Sequence, residues 1–167
     1  MPEQYQEVEE QVEDTLKGKY LTFSIGKEVY GIEIRYVTEI IGIQPITEVP
    51  EVPIYIKGII NLRGKIIPVL DIRLKFGREE QPYTDRTCII VVDIQNLSVG
   101  FIVDQVMEVM TIPDDQIVPP PDSRTGFHNR YIRGIGKTEK EVILLLDCQK
   151  ILTDDEVDTL EKIEEGA

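Results

Sequence analysis

The chain has 167 residues, 18 basic against 31 acidic side chains, and a net charge of −13. So acidic a surface repels phosphate backbones and anionic headgroups, which argues against nucleic acid as a partner and against direct membrane insertion. The 41% hydrophobic and 29% charged composition suits a folded water-soluble domain able to bury roughly 70% of its unfolded surface. No apolar run approaches the ~18 residues of a membrane span, and the acidic N-terminus lacks the basic-then-apolar order of a signal peptide, so a cytoplasmic protein is expected.

Residues 1–17 read as an acidic tail. Tyr5, Val8, Val12 and Leu16 fall at helical spacing in it, but so short an isolated helix is marginal in water. Tyr20 to Ile25 alternates apolar and polar as a half-buried strand does, Gly26-Lys27 turns the chain, and Glu28 to Arg35 resumes the alternation. Tyr36 to Ile43 mixes strand and turn features, and Pro45, Pro50 and Pro53 mark a loop, since each removes a ladder donor. Two β-branched runs, Ile59-Ile60 and Ile66 to Leu70, then flank Asn61-Leu62-Arg63-Gly64. This predicts a hairpin whose Gly takes positive φ and whose tip displays Asn61 and Arg63 outward. Arg73 to Arg86 reads as a polar connector. Thr87 to Asp93 is a buried strand turned at Gln95-Asn96, and Val99 to Val109 supplies further strands before a loop with Pro113 and Pro119-Pro120-Pro121. At the C-terminus Thr153-Asp-Asp-Glu156 is a capping box, predicting a helix that docks through Val157, Leu160 and Ile163.

The halves repeat. Tyr55-Ile-Lys-Gly-Ile and Tyr131-Ile-Arg-Gly-Ile are 76 residues apart, as are Asp71 and Asp147 at the ends of the hairpins; Gly31 to Gly100 and Glu39 to Glu108 are each 69 apart. A tandem duplication of a small all-β unit follows. Each unit offers about five strands, enough for a small closed barrel that removes exposed edges. The expected division is an acidic tail at 1–17, a barrel at roughly 18–86, a second at roughly 87–152 with strand exchange between them left open, and a helix and tail at 153–167. A groove is expected where the barrels meet.

Little in the chain suits catalysis. The single histidine, His128, sits in a loop with no nucleophile placed around it by motif, and no phosphate-binding glycine motif opens a helix. Asp93, Asp104 and Asp147 come from separate strands without metal-ligand spacing, while Cys88 and Cys148 lie in apolar runs and read as buried reduced thiols in strands. No catalytic residue, metal or cofactor is expected.

Gly58-Ile-Ile-Asn-Leu-Arg-Gly-Lys-Ile-Ile-Pro-Val-Leu-Asp71 resembles the signature of CheW, the coupling-protein family of bacterial chemotaxis. Tyr30-Gly-Ile-Glu-Ile, Val37-Thr-Glu39-Ile and Gly100-Phe-Ile-Val-Asp-Gln-Val are similar to the family's other motifs, and the match runs from about Lys19 to Leu152. The resemblance implies two five-stranded SH3-like barrels around a shared core. It also implies a non-enzymatic scaffold joining chemoreceptor cytoplasmic tips to the regulatory domain of the histidine kinase CheA, recruited to receptor arrays at the inner membrane. By matching motifs it implies partner contacts at Val37, Glu39, Gly58 and Arg63, and in the second half at Gly100, Val109 and Gly134, with the glycines shaping the surface. Glu39 and Arg63 are plausible neighbours. The second hairpin has Lys137-Thr-Glu139-Lys140 where the first has Asn61-Leu-Arg63-Gly64, so the unduplicated tip, Asn61 included, is where binding is placed. A competing reading is a small-ligand-binding double barrel with a closed, polar-lined pocket.

Overall fold

The computed structural model describes residues 16–120 and 130–166. The acidic segment 1–15 and the part of the second linker that holds His128 lie outside the described residues. The first repeat comprises β1 (Lys19–Ile25), β2 (Glu28–Glu33), β3 (Val37–Gly42), β4 (Ile56–Leu62), β5 (Lys65–Asp71) and the one-turn helix α1 (Ile72–Lys75). The second comprises β6 (Cys88–Ile94), β7 (Leu97–Val103), β8 (Gln105–Thr111), β9 (Ile117–Val118), β10 (Ile132–Lys137), β11 (Val142–Leu146) and α2 (Cys148–Ile151); α3 (Asp154–Gly166) follows.

The strands build two SH3-like sheets, ordered β3-β6-β7-β5-β4 and β8-β1-β2-β11-β10-β9. Exchanging each strand for its repeat counterpart turns one order into the other, with β9 as the sixth strand. Neither sheet is built from one repeat alone. The hairpin β1–β2 belongs with β10 and β11, and the hairpin β6–β7 with β4 and β5. The chain changes sheets at equivalent points: a 3-10 turn at Ile34–Tyr36 between β2 and β3, and Asp104 between β7 and β8. Periodicity along a strand says which face is buried and nothing about which distant strand pairs with it, so the crossover was beyond reach of the pattern.

Two parallel pairings join the exchanged hairpins to their hosts, Val69 opposite Gly100 and Leu145 opposite Gly31. These are the positions the 69- and 76-residue repeat distances make equivalent. A Cβ on Gly100 would lie 2.7 Å from Ile89 Cγ2 and 2.8 Å from Val69 Cγ1, both in buried residues, and one on Gly31 would lie 3.1 Å from Leu145 Cδ2. One large core containing Phe23, Ile32, Val99 and Phe101 is shared by both sheets. Smaller clusters fill each barrel, around Ile67, Val69 and Ile89 in one and around Ile112, Ile143 and Leu145 in the other.

The paired Leu-Asp sequences prove to be helix caps. Asp71 accepts the Leu74 amide at the start of α1, and Asp147 accepts the Gln149 amide at the start of α2. Asp71 is buried and also accepts the Tyr83 hydroxyl at 2.9 Å, burial and that carboxylate together pushing the phenol pKa up. Cys148 thus sits in α2 rather than a strand, its thiol pushed up to about 12 by burial; Cys88 is half-buried in β6. Only half of the expected capping box forms: Thr153 Oγ1 accepts the Glu156 amide at 3.2 Å, but the Glu156 carboxylate turns to Lys75 Nζ at 2.5 Å. That ammonium is almost wholly buried and lies 4.2 Å from the Tyr55 ring centroid and 5.6 Å from that of Tyr131. The pair ties α3 to α1, while Val157 and Leu160 of α3 are buried in the shared core. Among the described residues no helix is long and apolar enough to cross a membrane.

A second polar tie locks the crossover. Arg73 donates to both Asp104 carboxylate oxygens, at 2.9 and 2.6 Å, and the Gly26 amide donates to Asp104 at 2.7 Å, linking α1, the β1–β2 turn and the β7–β8 junction. Burial raises the Asp104 pKa, but the Arg73 guanidinium and the Gly26 amide outweigh it and hold the carboxyl below its usual value. A depressed carboxyl contributes stability above the unfolded value of ~3.9 and loses it as pH falls through the folded value. Asp104→Asn should therefore lower the urea midpoint at pH 7. The gap from the parent should close below about pH 4, and a pH-independent gap would contradict the clamp.

Candidate functional site

The β4–β5 hairpin ends in a two-residue loop with both residues left-handed, Arg63 at φ 52° and Gly64 at φ 88°. This is the turn whose twist matches the flanking strands. The Gly64 amide donates to Asn61 Oδ1 at 2.8 Å, so Asn61, although exposed, has its carbonyl turned into the loop as a brace rather than offered outward. The glycine alone was expected to be left-handed; Arg63 shares that conformation. Its guanidinium therefore leaves the hairpin from a fixed backbone geometry.

That guanidinium donates to the carboxylate of Glu39. Glu39 lies on β3, just after a register shift between Val37 and Glu39, and the intervening Thr38 donates its hydroxyl to the Val91 carbonyl at 3.1 Å. β3 and β4 are the two edges of the five-stranded sheet, so the ion pair runs from one edge to the hairpin carrying the other. The Arg63 side chain is 70% exposed and that of Glu39 32% exposed. An ion pair that open to water is screened and adds little to folding.

Beside the pair lies a shallow depression of about 360 Å³, with Leu62, Ile67 and Val91 among its lining residues. Its polar side was not singled out in the sequence: Lys65 Nζ donates to Ser98 Oγ at 2.7 Å, and Ser98 Oγ donates to Asp93 Oδ1 at 3.0 Å. The signal available was register. A hairpin turned at Gln95-Asn96, both left-handed, sets Asp93 opposite Ser98.

The remaining candidate residues are not gathered there. Gly58, on the same hairpin, has φ 145°, and a Cβ on it would sit 2.0 Å from the Thr47 carbonyl oxygen. Thr47 and Ile59 exchange backbone hydrogen bonds of 2.9 and 2.8 Å, so the glycine admits the segment after β3 to the β4 edge and shuts the barrel. Gly134 serves the other barrel alike, where a Cβ would meet Ile117 Cγ2 of β9 at 2.7 Å. Gly100 is interior, as described above. Val37 is half-buried against the shared core, whereas Val109 on edge strand β8 is 51% exposed and its repeat counterpart Ile40 on edge strand β3 43% exposed. The candidates thus divide into an exposed ion pair with its brace, one exposed edge-strand valine (Val109), one half-buried against the core (Val37), and buried glycines that hold the barrels in shape.

Gly58→Ala should destabilise the protein by about 3 kcal/mol, combining backbone strain with a main-chain clash. Gly42→Ala meets nothing within 4 Å and should leave the thermal melting curve almost unmoved. Equal melting temperatures for the two variants would overturn the construction role of Gly58.

A family model for the CheW-like domain matches residues 19–156. The chemotaxis protein CheW of Klebsiella aerogenes is 33% identical over 150 residues, 90% of each chain. That of Bacillus subtilis is 33% identical over 80% of this chain and 86% of its own. The crystal structure of the scaffolding protein TtCheW from Thermoanaerobacter tengcongensis is similar with a TM-score of 0.75 and 39% sequence identity, covering 80% of this chain and 91% of that one. The family match spans both exchanged barrels and the start of α3, and the structural likeness extends over most of the same fold. The chain belongs to the CheW family of chemotaxis scaffold proteins.

Proposed function

We propose that this chain is a non-enzymatic adaptor in the cytoplasm, coupling the tips of chemoreceptors to the regulatory domain of a CheA-type histidine kinase at receptor arrays. The observation that carries this reading is the Arg63–Glu39 pair: a charged group on a rigid turn, held by a carboxylate from the opposite sheet edge and left largely in water. Its small contribution to folding leaves it available to a protein partner. Desolvation by a docked surface would strengthen its electrostatics, and its geometry is already set. A regulatory domain built from the same kind of barrel would offer a sheet edge and hairpin of matching scale. Exposed apolar side chains on the edge strands, Ile40 and Val109, supply surface for such pairing or for the apolar face of a receptor helix.

The test is a binding titration of Arg63→Ala, Glu39→Ala and the double variant against a kinase regulatory domain and a receptor cytoplasmic fragment. The melting curves should stay close to that of the parent, while affinity for at least one partner falls roughly tenfold or more, as expected of an interface hot spot. A double variant no weaker than either single one would show that the two side chains act as a unit. Unchanged affinity for both partners would refute the proposal.

A further inference from the structure

The repeat symmetry breaks immediately after α1 and α2. Phe76 ends α1 as Leu152 ends α2. Beyond Leu152 the chain enters α3, which packs on β5 and buries Val157 and Leu160 in a cluster with Ile56 and Leu70. Beyond Phe76 the chain is turned away. Gly77 takes φ 77°, and the amides of Gly77 and Arg78 return to the carbonyls of Leu74 and Arg73, a glycine-stopped helix end. No helix follows before β6.

The surface α3 covers on one barrel therefore has a counterpart on the other that no helix among the described residues covers. Ile132 and Leu146, the equivalents of Ile56 and Leu70, line a cleft of about 510 Å³ together with Tyr30, Phe76 and Tyr131. Leu152 is 3% exposed, while its counterpart Phe76 is only partly buried. The cleft carries three cations, Lys75, Arg78 and Arg130, against the one carboxylate of Glu28, on a chain of net charge −13. Arg78 is held by the Tyr30 hydroxyl at 2.9 Å and the Ile25 carbonyl at 3.0 Å, and it is already paired with the Glu28 carboxylate of the same cleft at 2.7 Å. Arg130 lies 5.7 Å from the Tyr131 ring centroid and has no ion-pair partner among the described residues.

We infer that this cleft is a docking site for an acidic amphipathic helix on a partner protein, seated as α3 is seated on the sister barrel. The α3 helix itself shows the required chemistry: two aliphatic anchors one turn apart, with carboxylates in the first turn, one of which meets a cation of α1. Helix-in-groove docking reads such anchors at one-turn spacing, and Arg130, unpaired among the described residues, selects the acidic face. The cleft is lined by β2, β10, β11 and α1 and shares no lining residue with the depression beside Arg63, so this inference stands apart from the coupling role.

The experiment adds a synthetic peptide with the sequence of residues 153–165 to the full chain and follows amide shifts by NMR. Saturable shifts at Tyr30, Phe76 and Tyr131 are expected. Arg130→Glu, an exposed change that should leave the melting curve in place, should weaken binding at least tenfold, and a peptide with aspartate at both aliphatic anchors should not bind. Equal binding by a scrambled peptide of the same composition, an absence of shifts, or shifts confined to α3 and β5 would each overturn the proposal.

Discussion

The fold depends on two parallel strand pairings, β5 with β7 and β11 with β2, through which each repeat's hairpin completes the other's barrel. Neither half closes without the other, because removing the foreign hairpin would strip two strands from each sheet and expose the faces that carry the shared core. The contacts are distant in sequence, so their loop-closure entropy is offset only when both barrels assemble together. Gly31 and Gly100 each sit at one end of these parallel registers for a steric reason: in each, the space a Cβ would take is held by apolar side chains of neighbouring strands. The same exchange explains why Arg73 and Asp104 matter to the architecture. Asp104 lies where β7 leaves one sheet and β8 enters the other, and the guanidinium from α1 fixes that corner.

Symmetry accounts for the scaffold, and departures from it make its two faces chemically different. The β4–β5 tip uses a two-residue left-handed loop with an arginine, braced by Asn61 and paired to Glu39. Its counterpart at Thr138 to Glu141 is a wider turn in which the threonine hydroxyl and amide both serve the Glu141 backbone. One tip projects a charge; the other closes on itself. After the hairpins the departure is larger, since α3 covers one barrel, while Gly77 turns the chain away and no helix among the described residues covers the other. A scaffold built by duplication begins with two equivalent faces, and distinguishing partners requires that those faces become chemically different.

Much of this was legible in the chain. The repeat distances of 69 and 76 residues mark the equivalent positions of the two halves, and the turns at Gln95-Asn96 and at Gly64 are readable because few residues accept positive φ, whereas nothing marked Arg63 as left-handed. What escaped was either too short or too distant. A four-residue helix has no periodicity to detect, so the Leu-Asp endings read as strand termini although each aspartate is a cap. The capping box at Thr153 was half right, because a local pattern cannot show that Lys75, remote in sequence, captures the Glu156 carboxylate. The Lys65–Ser98–Asp93 chain needed cross-strand register, and the exchange of hairpins needed a choice between two topologies with identical strand patterns.

Two of the ion pairs show how burial separates a tie that holds a helix from a charge left in water. Lys75 and Glu156 are nearly withdrawn from water, with side chains 4% and 16% exposed, so removing either partner strands a charge and should weaken the docking of α3. Tyr55 joins them, its pKa pushed up by burial and by the Glu156 carboxylate. Arg63 and Glu39 meet with comparable intimacy but on the surface, where solvent screening removes most of the folding advantage. The same chemistry therefore holds a helix in place at one site and leaves an oriented, accessible charge at the other. In the proposed coupling role, side chains already paired at the exposed site would leave association less conformational entropy to overcome. A docking surface that excludes water there would give the pair the low-dielectric setting that Lys75 and Glu156 already occupy.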